Sequence, residues 1–387
     1  MFYLMSLNQY HNWVMPYLSA AKNFDFSFSM YIDKNQIDEF NKLNLENQFK
    51  FVFQSSENIE RYDYLPIGFT FVVFFATKIF FFLGDLQAIN LLHQIIHIGI
   101  SFLILNIIEK PRDKFLFLIL YAINPIIIYF VNYPFYYFWQ VIPATIFLYY
   151  FITKKSVGNL IFILSLVFLF IYMIRPSTLF FIVFIYIYFL FKNINDFKKI
   201  IFSFFMFLGL LNILPSYKTG PWHTMYVGIG GYENPYNISL SDEEGYLYFK
   251  NKTGKIYNSD SFKNEESVKE YFEVLKNRYL EIAKEEPFLL FSNALKNIIS
   301  SYGFGHKSGD VWLNNLSIFA GLISILLLLY SRQYIIFLAI GIFSFSFTPY
   351  FPPIAGYMYG SYILIVFGFI KSLEFIFIKH FIKEASI

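Results

Sequence analysis

The sequence predicts an all-α polytopic membrane protein of about 9–11 transmembrane or re-entrant helices, with two polar insertions on the outer face. Three observations carry that expectation: the composition, the run of charge-free stretches, and the side on which the basic residues gather. Of the 387 residues, 57% are hydrophobic, 23% aromatic and 15% charged. A soluble domain is roughly 45–50% apolar and about 25% charged. Fifty-three Phe and 32 Tyr are more than one or two soluble cores of this size can bury, and the composition is equally unlike that of a disordered chain. The mean hydropathy of +0.49 agrees. The absence of Cys excludes disulfides, thiolate metal sites and Cys nucleophiles.

Residues 86–108, 115–153, 156–174, 176–191, 200–217, 311–331 and 333–370 contain no Asp, Glu, Lys or Arg. A helix needs roughly 20 apolar residues to cross a bilayer, so the stretches 115–153 and 333–370 are each read as a pair of spans. Asn132-Tyr133-Pro134 and Pro349-Tyr350-Phe351-Pro352-Pro353 mark the turns within them. The stretch 66–83 carries Lys78 and is the weakest candidate span. The organisation expected is an N-terminal outer-face segment at 1–65, a first membrane part at 66–214, an outer-face loop domain at 215–310 and a second membrane part at 311–387.

Cytoplasmic loops retain positive charge. Lys110, Arg112 and Lys114, then Lys154 and Lys155, then Lys192, Lys198 and Lys199, then Arg332 and the tail form one set, with 12 basic and 5 acidic residues. The window 215–310 holds 11 basic and 13 acidic residues, and residues 1–65 hold 5 and 8. Both windows are therefore assigned to the outer face. With residues 1–65 outside, segments 66–83 and 87–108 cannot both cross and still deliver Lys110 to the cytoplasm. One of them is re-entrant or interfacial, or a first span is missing ahead of the short apolar stub Met1–Met5. No signal-peptide pattern opens the chain. Within the second window, Val268, Phe272, Leu275, Tyr279 and Ile282 recur at helical spacing, Pro287 interrupts, and Phe288-Leu289-Leu290-Phe291 follows as an apolar run. That segment is expected to lie against the membrane face or to pack on the spans.

The candidate chemistry sits near these insertions. Arg175, the single charge between two spans, either holds a phosphate or carboxylate or snorkels to the interface. Pro221-Trp222-His223-Thr224-Met225-Tyr226 opens the second window. Here His223 and Lys218 suit a phosphate, while Trp222 and Tyr226 either stack on a sugar ring or belong to the interfacial aromatic belt. Asp242, with Glu243 and Glu244, is a catalytic carboxylate or a solvated acidic turn. Asp63 is the acid of the first window nearest the apolar segment and a candidate base toward a sugar hydroxyl. His93 and His97, four apart on one helix face, either hold a metal or bond neighbouring groups. No metal site is assigned.

Several short motifs together resemble the GT-C superfamily of membrane glycosyltransferases, the group of protein O-mannosyltransferases and aminoarabinose transferases. They are Tyr64-Leu65-Pro66-Ile67-Gly68-Phe69 after a polar segment, Ile174-Arg175-Pro176-Ser177, Tyr279-Leu280-Glu281-Ile282 through Pro287-Phe288 and Lys296, and Pro352-Pro353 followed by Tyr357. The family's early catalytic Asp has no counterpart in Ser6-Leu7-Asn8-Gln9-Tyr10-His11-Asn12-Trp13, and the first acid is Asp25. Asp63 or Asp242 then supplies the base, or a first span is missing, or the chain does not catalyse. The resemblance implies transfer of a sugar from a polyprenyl-phosphate-linked donor to a glycan, lipid or protein acceptor. It places the chain among membrane lipids of a bacterial inner membrane, its site facing the periplasm or exterior. Arg175, His223 and Lys218 would then counter the departing lipid phosphate; a divalent cation is possible and no nucleic acid is expected. The alternatives are an O-antigen-type polymerase, a transporter or flippase of lipid-linked glycans, or a non-catalytic membrane partner.

Overall fold

The computed structural model describes residues 9–26, 28–62, 65–214, 220–257 and 265–379. Among these are eighteen α-helices and a two-stranded antiparallel ribbon that pairs Tyr31 with Arg61 and Ile32 with Glu60. The chain divides into two units, residues 1–216 with 359–370, and residues 217–358 with 371–387.

In the first unit the N-terminal window packs with apolar helices. Helix Met15–Lys22 is buried from Pro16 to Ala21, and Tyr17 meets Phe69 of helix Gly68–Ile79 edge-on at 5.0 Å. At its end, Lys22 Nζ donates to Asp85 Oδ1 at 2.8 Å, while Asp85 Oδ2 accepts the Phe53 N–H at 2.8 Å. One carboxylate thus ties together the first helix, the extended segment at residues 51–53 and the start of helix Asp85–Ile107. Small polar groups join the later helices. Ser165 Oγ bonds the Tyr186 hydroxyl at 2.5 Å and also bonds Ser203, linking Leu160–Ile174, Leu179–Lys192 and Phe197–Leu211. Such contacts tie apolar helices where hydrophobicity alone does not.

Among the described residues three helices are long and apolar enough to cross a membrane: Asp85–Ile107, Val311–Tyr330 and Ala355–Phe377. This is compatible with an integral membrane protein. Two further pairs reach that length only when joined across bends of 53° (Pro111–Ala122 with Pro125–Val131) and 108° (Pro176–Lys192 with Ile194–Leu211). Among the described residues these make three to five spans by length and composition, and the shorter apolar helices Gly68–Ile79, Leu160–Ile174 and Tyr334–Ser344 stand beside them; the nine to eleven expected included re-entrant helices as well as spans. The charge-free runs are long, but Asn and Pro break them. Asn124 caps a new helix that starts with Pro125, and Pro176 starts another after Ile174. The 12-residue helix Gly68–Ile79 is about 18 Å long at 1.5 Å per residue, short of the roughly 30 Å hydrocarbon layer.

The expected turns are present. One helix ends at Val131 before Asn132–Pro134, and another ends at Ser344 before the prolines that precede Ala355. In the second unit the spacing of Val268, Leu275 and Ile282 is realised as helix Glu265–Glu285, with all three buried. Helix Pro287–Ser300 follows directly, because Pro287 cannot extend the preceding helix and suits the first turn of the next.

Candidate active site

Three helices of the second unit build the site. The short helix Trp222–Gly228 carries Trp222, His223 and Tyr226. Helix Asp242–Thr253 starts where the Ser241 side chain accepts the Glu243 N–H, which places Asp242, Glu243 and Glu244 in its first turn. Those carboxylates face the positive end of the helix dipole and gain from it. Helix Glu265–Glu285 brings Tyr271 and Lys276.

His223 sits where the three meet. Its Nε2 lies 3.0 Å from Asp242 Oδ1 and its Nδ1 lies 2.5 Å from the Tyr271 hydroxyl. Burial, with neighbouring Tyr246 and Tyr257, pushes the Tyr271 hydroxyl far above its ordinary range. A carboxylate can only accept, so Nε2 turns its hydrogen to Asp242; in the neutral ring Nδ1 is then the acceptor and the Tyr271 hydroxyl its donor. This is the ordering found whenever a carboxylate and a hydroxyl flank one imidazole: each ring nitrogen's state is set by the bond the other makes.

Gly245 makes the arrangement fit. A Cβ at this position would lie 2.6 Å from the Tyr271 hydroxyl and 2.9 Å from His223 Nδ1, so only glycine lets the helix approach the pair. Aromatic rings complete the wall. Tyr257 stacks on Tyr271 at 3.9 Å and 6°, and Tyr246 lies against the His223 ring at 5.6 Å and 29°. The Tyr246 hydroxyl is raised to about 12, first by burial and then by the charges of Asp242 and Glu243. The Asp242 side chain stays 57% exposed, so the polar end of the triad faces out while Tyr271 forms its buried end.

Tyr271→Phe is expected to cost about 0.5–1.5 kcal/mol, the net worth of one buried hydrogen bond. Thermal unfolding of the purified chain measures it; a midpoint equal to wild type would show that the hydroxyl does not anchor His223.

The residues singled out from the sequence are distributed as follows. His223 and Asp242 are brought into contact. Trp222 and Tyr226 share the His223 helix but point to different neighbours. Trp222 lies against Tyr279 at 6.3 Å, with the Lys276 ammonium 6.0 Å from its ring, and Tyr226 is buried beside Tyr248. Tyr226 is also raised to about 12, mainly by burial. Arg175 belongs to the first unit. Its guanidinium lies over the rings of Tyr136 and Tyr137 at 5.0 and 5.7 Å and donates to the Tyr136 hydroxyl at 3.2 Å. Asp63 and Lys218 lie outside the described residues.

His93 accepts from Trp139 Nε1 at 3.2 Å, and His97 Nε2 bonds the Ala122 carbonyl at 2.9 Å, so the two rings serve different neighbours. Among the described residues no group of three or more His, Asp or Glu is placed to hold a metal ion. Tyr271, Gly245 and Tyr246 were not singled out from the sequence. Tyr271 sits one position before Phe272 on the periodic face, and only the tertiary contact distinguishes it. No protein-family model, curated protein or solved structure matches the chain.

Proposed function

We propose that the chain is an integral membrane glycosyltransferase of the GT-C type. It moves a sugar from a polyprenyl-phosphate-linked donor to an acceptor at the outer face of a bacterial inner membrane. The observation that supports this reading is the contact between His223 and Asp242, two residues proposed for the site on separate sequence grounds and found 3.0 Å apart. Asp242 is the base. It takes the proton from an acceptor hydroxyl as that oxygen attacks the anomeric carbon of the donor sugar. The bond from this carbon to the phosphate oxygen breaks, and its electron pair leaves with the polyprenyl phosphate. His223 orients the carboxylate through Nε2–H, and Tyr271 holds the ring in that tautomer.

Transfer of radiolabelled sugar from a polyprenyl-phosphate donor by the purified full chain in liposomes tests the proposal. Label appearing in the acceptor, and reduced in Asp242→Asn, fits a carboxylate that takes the acceptor proton. Label that crosses the bilayer on intact donor without transfer would replace the enzyme reading with a flippase.

A further inference from the structure

Helix Pro287–Ser300 has its polarity reversed relative to a helix on a water-soluble surface. Its buried residues are Asn293, Asn297 and Ser300, all polar. Its exposed large side chains are Phe288 (83%), Phe291 (68%), Leu295 and Ile298, which recur at spacings of three and four and so form one stripe. In water the opposite arrangement is stable: apolar groups inside and polar groups outside.

The inward polar face bonds the rest of the unit through most of its groups, Asn293 Oδ1 being the buried exception. Asn293 Nδ2 donates to the Ile229 carbonyl at 3.4 Å, and Asn297 Nδ2 donates to the Thr348 carbonyl at 3.1 Å. The Asn297 Oδ1 accepts from the Tyr232 hydroxyl at 3.1 Å, and Ser300 pairs with Ser317 at 2.9 Å. The one charge on the helix, Lys296, is half-buried with its ammonium 4.9 Å from the Tyr232 ring.

The neighbouring helix supplies a second, independent observation. The end of Pro287–Ser300 packs closely on Val311–Tyr330, a candidate span. A Cβ at Gly321 would lie 1.9 Å from the Ile299 carbonyl oxygen, and one at Gly303 would lie 2.4 Å from that of Ser317. Ser317 and Gly321 are six and ten residues beyond Val311, about 9–15 Å along the helix at 1.5 Å per residue. Ile299–Gly303 therefore lie level with the interior of an apolar span, whose own Phe319, Leu322 and Leu326 are exposed. Both helices thus present exposed apolar side chains of the kind a membrane surface carries. On the other side, the chain changes to strongly polar at Lys284-Glu285-Glu286, immediately before Pro287.

We infer that Pro287–Ser300 is itself inserted in the bilayer, with Phe288, Phe291, Leu295 and Ile298 against lipid acyl chains. The helix is about 21 Å long, so it enters the roughly 30 Å hydrocarbon layer without crossing it. The sequence reading placed it within an outer-face loop domain. Its polar residues turn inward because lipid offers them no hydrogen bonds, whereas the packed unit does. The occupant of the stripe is hydrocarbon, and neither a second copy of the chain nor another protein is needed to cover it. The inference does not depend on the proposed enzymatic activity.

The chain has no Cys, so a single introduced Cys carries a single nitroxide label. Labels at Phe288→Cys, Phe291→Cys and Leu295→Cys in the full chain, reconstituted in phosphatidylethanolamine/phosphatidylglycerol liposomes, are compared with Phe319→Cys on the span and Glu273→Cys on the polar helix. Electron paramagnetic resonance then reads collisions with oxygen, which concentrates in hydrocarbon, and with a water-soluble nickel chelate. The expected result is an oxygen-to-nickel ratio at 291 and 295 close to that at 319 and several-fold above that at 273. A ratio matching 273 would place the helix in water and overturn the inference. Immobilised spectra with low access to both reagents would overturn it in favour of a protein partner. The substituted side chains are exposed, and elution as a single symmetric peak confirms folding before each reading. Three labelled positions on one stripe keep the test decisive if one variant misfolds.

Discussion

Asp85→Ala is expected to destabilise the first unit by about 3–5 kcal/mol, the usual cost of removing one partner from a buried ion pair. The Asp85 side chain is 2% exposed and that of Lys22 18%. Removing the carboxylate leaves an ammonium in a site that water scarcely reaches, and it removes the acceptor of the Phe53 N–H at the same time. Three segments far apart in sequence lose their common tie. At about 2–4 °C per kcal/mol for a unit of this size, the apparent midpoint in detergent falls by roughly 6–20 °C. The double variant Lys22→Met, Asp85→Leu separates the two contributions. It removes both charges and is expected to recover most of the loss, leaving mainly the unpaired Phe53 N–H. A single Asp85→Ala variant within experimental error of wild type would show that the N-terminal window is held by its apolar contacts alone, such as Tyr17 against Phe69.

The parts of this architecture visible in the sequence are those that depend on local chemistry. Pro134, Pro352 and Pro353 fall in the breaks between helices, because proline lacks an N–H and restricts the residue before it. The face formed by Val268, Leu275 and Ile282 follows from helical periodicity. The number of crossings was less visible. A charge-free run of Phe, Ile and Leu is equally content in lipid or in a protein interior, so its length does not show where it bends. The 53° bend between Pro111–Ala122 and Pro125–Val131, inside the charge-free stretch 115–153, is an example. For helix Pro287–Ser300 the apolar run Phe288-Leu289-Leu290-Phe291 pointed to the membrane face or the spans, and only the tertiary structure shows Asn293, Asn297 and Ser300 turned inward. At the site, residue type pointed to His223 and Asp242 separately. Their contact across 19 positions depends on Gly245 leaving room, and the absence of a side chain carries little signal in a single sequence.

Asp242→Asn is expected to lower sugar transfer by about 10²–10⁴-fold, the range over which a positioned general base acts. The substitution is nearly isosteric. The asparagine Oδ1 can still accept the His223 Nε2–H, so the three helices stay together and the unfolding midpoint stays near that of wild type. What disappears is the ability to take a proton. His223→Phe leaves the carboxylate in place but removes the group that orients it, and its smaller loss should fall mainly on kcat. Tyr271→Phe acts one step further away, through the ring tautomer, and should have the smallest effect on transfer. That graded order, with stability least changed in the variant whose activity is most reduced, distinguishes a base with its positioning partners from a surface hydrogen bond. Full transfer by Asp242→Asn would leave the His223 contact as a structural clamp between helices and send the search for the base back to Asp63.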